Sequence, residues 1–381
     1  MRLLITGGCG FVGSLLAKYF LSKEGWEVLL VDNFCRPGSE LNRRPLECLG
    51  ASVIEADLRD RDAILSLPAC HWVIDCAANP SVLAGLDVQP TSLKAANRES
   101  PSLTLVDHNL LGTVHVLEYC KQHSAGLVLV STSRVYSTDA LSDVRLKNSN
   151  SRFELETDQA TPGLSIQGIN EHFSTAPPLS LYGVTKLASE WLAREYAHAF
   201  GFPLWINRCG LMAGAGQFGR ADQGIIAYWM HRYLYRHPLS FIGYGGTGHQ
   251  VRDCLHPVDL ANLISQQIKF SAAPASNTNA ESNQPPTTVN VSGGIESAFS
   301  LLELHQWCER RWGPSKYGPL GKLTSVLENR RYDAPWIVLD SSLAQRSWGW
   351  TAQRPKEEIW EEIAEHAEEH PDWLQISQAL S

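Results

Sequence analysis

Short apolar runs, several of them rich in β-branched residues, recur through the first half of the chain, at residues 3–6, 28–31, 53–56, 72–76 and 127–131. Runs of this length predict buried strands. Amphipathic stretches separate them. Leu103, Val106, Leu110, Val114 and Leu117 recur at intervals of three or four, which predicts a helix with that stripe turned inward. A further strand is expected at 204–207, preceded by a helix over 184–200. Strands alternating with helices predict an α/β chain whose parallel sheet is doubly wound, with helices on both faces. The second half is less regular. It predicts helices over 222–236 and 257–270, an acidic helix over 357–370, and a flexible Ser/Asn/Pro/Ala-rich loop over 271–288.

The chain has 381 residues, more than one compact core usually holds. We expect two domains, residues 1–208 with an insertion or lid at 140–178, and a smaller domain over 209–381, with 255–292 a candidate to return to the first. With 44% apolar and 19% charged residues the composition is globular. The net charge of −8 argues against a nucleic-acid partner held on a broad basic face. No apolar run approaches the ~18 residues of a membrane span, and the opening lacks the apolar stretch of a signal peptide. The nine cysteines are odd in number and contain no Cys-x-x-Cys. They read as reduced thiols of a cytoplasmic protein. The histidines lack paired ligand spacing, so no metal is expected.

The run Leu3-Leu4-Ile5-Thr6-Gly7-Gly8-Cys9-Gly10-Phe11-Val12-Gly13 reads as strand, tight turn and helix start. Gly7 permits the turn, Gly10 lets backbone N–H groups approach a pyrophosphate, and Gly13 lets helix and strand pack closely. Asp32 stands nineteen residues beyond Gly13, at the end of the second strand. Its carboxylate suits a ribose 2′-hydroxyl and repels a 2′-phosphate, which favours NAD over NADP; Arg36 is the residue that could instead pair with a phosphate. Asp57, after the third strand, can accept from an adenine amino group or can cap the following helix. Cys76-Ala77-Ala78-Asn79 ends the fourth strand with small side chains against which a cofactor could lie.

Ser131-Thr132-Ser133-Arg134-Val135-Tyr136 follows the fifth strand, and Tyr182 and Lys186 stand four apart at the start of a later helix, on one face. An ammonium beside a phenol stabilises the phenolate and lowers its pKa from ~10 toward working pH. A strand-end hydroxyl can hold the same substrate oxygen.

With these motifs, and with His108-Asn109-Leu110-Leu111-Gly112-Thr113 and Val251-Arg252-Asp253-Cys254-Leu255-His256-Pro257-Val258-Asp259, the chain resembles the extended short-chain dehydrogenase/reductase family of NAD-dependent nucleotide-sugar epimerases and dehydratases, from Met1 to about Trp373. The resemblance implies a Rossmann domain binding NAD. It implies Thr132, Tyr182 and Lys186 as catalytic residues, with Lys186 also anchoring the nicotinamide ribose and Asn109 supporting a helix bend beside it. Gly7, Gly10, Phe11, Val12, Gly13, Asp32, Asn33, Asp57, Leu58, Ala77, Ala78 and Asn109 would hold the cofactor. Ser133, Arg134, Asn207, Gln217, Asp222, Gln223 and Arg252 would face the substrate, with Arg252 on its diphosphate.

Dehydratases of the family carry Asp-Glu after the active-site Thr. Ser133 and Arg134 stand there, so epimerase chemistry is expected. The stretches at 33–42, 207–224 and 243–253 resemble the CDP-paratose (CDP-tyvelose) 2-epimerase branch. That likeness implies a CDP-sugar substrate, oxidised at one carbon by hydride transfer to NAD, turned, and reduced from the opposite face. A UDP-hexose 4-epimerase or a dehydrogenase/reductase of the same fold is the alternative, ahead of a non-catalytic nucleotide- or RNA-binding member. The family habit also implies a homodimer through helices near 99–123 and 183–200.

Overall fold

A computed structural model describes residues 1–86, 100–272, 284–313 and 321–377. By contacts the chain divides into two units. The first is Met1–Cys35, Ser39–Val135 and Leu179–Ile206, and the second is Arg36–Gly38, Tyr136–Pro178 and Asn207–Ser381.

The principal strands are β1 (Arg2–Thr6), β2 (Glu27–Asp32), β3 (Ser52–Glu55), β4 (Trp72–Asp75), β5 (Gly126–Thr132), β6 (Leu204–Cys209) and β7 (Thr288–Val291). They form a seven-stranded sheet in the order β7-β6-β5-β4-β1-β2-β3. The pairs β1–β2, β2–β3, β1–β4 and β4–β5 are parallel. Leu4, Leu29, Val31, Val73, Leu127, Leu129 and Ile206 share one buried cluster with Val116 and Leu117, so this face of the sheet is closed by a helix. Strand order reverses between β1 and β4. In an open α/β sheet the crevice beyond the carboxyl ends at such a point is where ligands bind.

The principal helices are α1 (Phe11–Tyr19), α2 (Gly112–His123), α3 (Leu181–Phe200), α4 (Ile225–Leu234), α5 (Pro257–Ala272), α6 (Leu301–Trp312) and α7 (Lys356–Glu369). Helix α3 starts before the expected residue 184 because Ser180 caps it, its Oγ accepting the Gly183 N–H at 3.0 Å. Helix α4 starts after the expected residue 222 because Arg220 and Gln223 close a turn and Gly224 takes a left-handed conformation, φ +66°. Most of the expected 271–288 loop, 273–283, lies outside the described residues.

The expected stripe of Leu103, Val106, Leu110, Val114 and Leu117 needs correction. Pro101–Val106 is α-helical, Asp107–Leu111 is a π-helical turn, and α2 follows. A π turn adds a residue and rotates what comes after it. The buried positions are Leu105, Asn109, Gly112, Thr113, His115, Val116, Leu117, Tyr119 and Cys120, while Leu103 is 55% exposed.

In the second unit α4, α6 and α7 pack through Trp229, Met230, Leu304, Cys308, Trp360 and Ile363. The 136–178 segment is built into this unit, with the hairpins Leu146–Asn148 with Phe153–Leu155 and Leu164–Ser165 with Gly168–Ile169. Arg152 Nε donates to Glu303 Oε1 at 2.6 Å, and the same Glu303 completes the capping box of α6.

Candidate active site

The glycine loop leaves β1 at the switch point. Gly7 has φ +59°, and a side chain there would lie 3.0 Å from the Ala77 Cα. A Cβ on Gly13 would sit 2.3 Å from the Gly7 carbonyl oxygen, so only glycine lets α1 approach β1 this closely. Gly10 stands at the helix entry, where no side chain caps α1 and its first N–H groups are left for an anion. Phe11 and Val12, half-buried, form the first turn.

Asp32 ties the end of β2 to this loop. Its Oδ2 accepts the Cys9 N–H and its Oδ1 the Phe34 N–H, both at 2.9 Å. Burial raises its pKa and the backbone hydrogen bonds oppose that rise. The carboxylate keeps acceptor capacity for a ribose hydroxyl. Arg36, the residue that could have met a phosphate, donates to Gln223 Oε1 at 2.8 Å and to the Phe218 carbonyl.

Asp57 is not the cap of the next helix, because Asp60 takes that role, accepting the Ala63 N–H. Asp57 instead accepts from Asn33 Nδ2 at 2.9 Å and pairs with Arg59 at 2.9 Å. The Arg59 guanidinium holds its carboxyl well below the ordinary range. Leu58 is buried in the core, under Gly112. Thr6 Oγ1 donates to Asp75 Oδ1 at 2.6 Å and accepts the N–H groups of Cys76 and Ala77 at 3.1 Å, which fixes the strand ends bordering the crevice. Ala78 follows, half-buried.

Asn109 lies in the π turn, 1% exposed. Its Oδ1 accepts the Asn79 N–H at 2.8 Å, and its Nδ2 donates to the Asn79 carbonyl at 3.0 Å and to Thr185 Oγ1 at 3.3 Å. It thus fastens the loop after β4 to the residue preceding Lys186.

Thr132 ends β5, its Oγ1 accepting the Arg134 N–H at 3.2 Å across the turn Ser133–Val135. Gly183 lets the first turn of α3 press against that turn, since a Cβ there would meet the Arg134 carbonyl at 2.3 Å. Tyr182, beside Gly183, is 7% exposed, and Lys186, one turn on, is 2% exposed. Among the described residues none hydrogen-bonds or ion-pairs with the Lys186 ammonium. A buried ammonium lacking a protein partner is costly unless a ligand supplies one. The ribose hydroxyls of NAD and a phenolate at Tyr182 are suitable partners, so the residues present fit the cofactor.

The remaining expected substrate residues belong to the second unit. Asn207 is fully buried and exchanges amide hydrogen bonds with Gln267 at 3.0 and 2.9 Å, a structural pairing. Arg252 pairs with Asp333 at 2.6 Å and donates to the Val251 and Ala334 carbonyls. These bonds use three of its five N–H donors and brace the guanidinium. Its sequence neighbour Asp253 faces Ser292 and the Leu339 N–H, and burial pushes its carboxyl up to about 6. Gln217 donates to the Met212 carbonyl at 2.9 Å, and its Oε1 is buried without a partner among the described residues. Asp222 is exposed in the turn that Gln223 closes.

One network went unnoticed in the sequence. Tyr136 donates to Asn290 Oδ1 at 2.7 Å under the Arg208 guanidinium, and the Asn290 N–H donates to Glu171 at 2.6 Å. A charged Arg208 inside an apolar strand was the available signal.

A family model described as the NAD dependent epimerase/dehydratase family matches residues 3–279. The chain is 28% identical over 317 residues to the CDP-paratose 2-epimerase of Salmonella typhi, spanning 81% of this chain and 84% of that protein. It is 27% identical over 361 residues to a probable dTDP-glucose 4,6-dehydratase of Sinorhizobium fredii, spanning 93% and 89%. The UDP-glucose 4-epimerase of Bifidobacterium longum, solved with NAD+ and UDP, superposes with a TM-score of 0.73 at 20% identity, covering 98% of this chain and all of that one (100%). That likeness carries the fold, a doubly wound α/β architecture.

Proposed function

The chain belongs to the NAD-dependent epimerase/dehydratase family, and from that premise we propose that it inverts one carbon, C2, of a CDP-linked sugar, as a CDP-paratose 2-epimerase does. The observation that carries the reading is the buried Tyr182–Lys186 pair on α3, pressed by Gly183 against the turn that begins at Thr132 and is followed by no acid pair.

A sugar C2–H beside an acetal carbon is not acidic, so inversion needs oxidation at that carbon and then reduction. NAD, when bound, supplies the hydride acceptor and donor. The chain does the rest. Tyr182 takes the proton of the reacting hydroxyl and later returns it. The Lys186 ammonium favours the phenolate, and Thr132 Oγ holds the same oxygen. Ser133 and Arg134 offer no carboxylate pair to expel water, which supports epimerase over dehydratase chemistry. Arg252, with donors still unused, suits the diphosphate, which stays fixed while the sugar turns. Leu103, Leu111, Val184 and Trp191 are 55%, 39%, 43% and 63% exposed. Apolar surface of this kind on the helical segments 101–111 and 181–200 supports a homodimer.

The test is incubation of the enzyme with CDP-, UDP- and dTDP-sugars, read by NMR at each stereocentre. We expect inversion at C2 of a CDP-sugar with no net reduction of added NAD. Inversion at C4 of a UDP-hexose would favour the 4-epimerase reading, and a 4-keto-6-deoxy product would overturn epimerase chemistry altogether.

A further inference from the structure

The loop 217–223 is held from outside at three successive carbonyls, each by a side chain distant in sequence. The Gln217 carbonyl accepts from Trp373 Nε1 at 2.9 Å, the Phe218 carbonyl from Arg36 Nη2, and the Gly219 carbonyl from Ser377 Oγ at 3.3 Å. Arg36 reaches the far end of the same loop through Gln223 Oε1 at 2.8 Å. Arg220 Nε returns a bond to the Ser377 carbonyl at 3.1 Å. The Phe218 ring stacks on Trp373 with centroids 5.1 Å apart and planes 15° from parallel. Gly38 seats against both segments, since a Cβ there would lie 2.6 Å from the Phe218 ring and 2.9 Å from Ile376. Ser377 is fully buried and Trp373 is 7% exposed, so these contacts are shielded from water.

Within the loop the Gly219 N–H donates to the Gln217 carbonyl at 2.9 Å, and Arg220 and Gln223 close a turn. It carries a buried acceptor, Gln217 Oε1, that none of the described residues satisfies. An unpaired buried carbonyl is unfavourable unless a ligand N–H or O–H meets it. The three outside contacts add to the loop's own bonds in holding that group in register. We infer that Arg36 and residues 373–377 are positioning residues of the sugar-nucleotide site, clamping the 217–223 loop so that Gln217 Oε1 can meet a hydroxyl or amino group of the ligand. The inference rests on the proposed reading of this loop as part of the substrate site.

The experiment uses the full chain and the variants Trp373→Phe, which keeps an aromatic ring against Phe218 but loses the N–H together with part of the indole, Ser377→Ala and Arg36→Met. Hydrogen exchange is followed at the amides of residues 218–224, and binding of CDP-glucose by calorimetry. Loss of one buried hydrogen bond corresponds to about a three- to tenfold change in an equilibrium. Loop exchange should accelerate by about that factor in Trp373→Phe and by more in Arg36→Met, which loses both of its bonds to the loop, while the amides of β1 to β5 and NAD affinity in Trp373→Phe stay as in the wild type. CDP-glucose affinity should fall by the same factor. In turnover KM should rise with kcat unchanged, a split that general loss of structure does not give. Unchanged loop exchange overturns the inference, as does faster exchange with unchanged affinity. A wild type that binds none of CDP-, UDP- or dTDP-glucose overturns the sugar-nucleotide assignment instead, and the exchange comparison then still decides whether the clamp holds the loop.

Discussion

Tyr182→Phe is expected to lower turnover by roughly 10²–10⁴-fold, the ordinary worth of a positioned acid or base. The variant keeps the buried ring and removes one oxygen, so folding and NAD affinity should persist. The loss should fall on kcat, because the phenol acts on a proton that moves only during the reaction. Thr132→Val should cost less, since it removes a hydrogen bond to the reacting oxygen and leaves the proton acceptor in place. Steady-state rates beside an NAD titration check both. Turnover of Tyr182→Phe within about tenfold of wild type would remove Tyr182 from the acid/base role.

Lys186→Met should damage two quantities and spare a third. The Lys186 residue is 2% exposed, and the described residues offer its ammonium no partner. Removing it deletes a charge on a largely buried side chain that the described residues do not pair, so the cofactor-free protein should be about as stable as wild type. NAD affinity should nevertheless fall by roughly 10–100-fold, the scale of a hydrogen bond to a charged group. Turnover should fall at least as far as in Tyr182→Phe, since the phenolate loses its neighbour. Thermal unfolding with and without NAD, together with rates, separates these effects. A destabilised cofactor-free variant with unchanged NAD affinity would make Lys186 a structural residue.

What could be read from the sequence was local. Residues 3–6 and 127–131 announce strands because a short apolar run needs no distant information. Gly7, Gly10 and Gly13 announce a turn and a close helix because the constraint lies within seven residues. Tyr182 and Lys186 share a face by helical spacing alone. What escaped was long-range or depended on one irregular turn. The π turn at Asp107–Leu111 rotates the helix, and counting apolar residues at intervals of three and four cannot detect one added residue. Asn207 looked free for a substrate, but its partner Gln267 is sixty residues away. Arg252 looked aimed at the substrate diphosphate, and its pairing with Asp333, eighty-one residues on, left no mark nearby. The grip of Arg36, Trp373 and Ser377 on one loop is of the same kind, since nothing near any of the three marks it.

The central claim is that a sugar carbon is inverted by loss and return of its own hydrogen as hydride, while Tyr182 handles only the hydroxyl proton. Substrate deuterated at the inverted carbon tests this most directly, with product followed by NMR in ordinary water. The account predicts that deuterium stays on that carbon in the epimerised product. Exchange of the label with solvent would show that the carbon loses a proton instead, and would contradict both the hydride route and the role given to Tyr182.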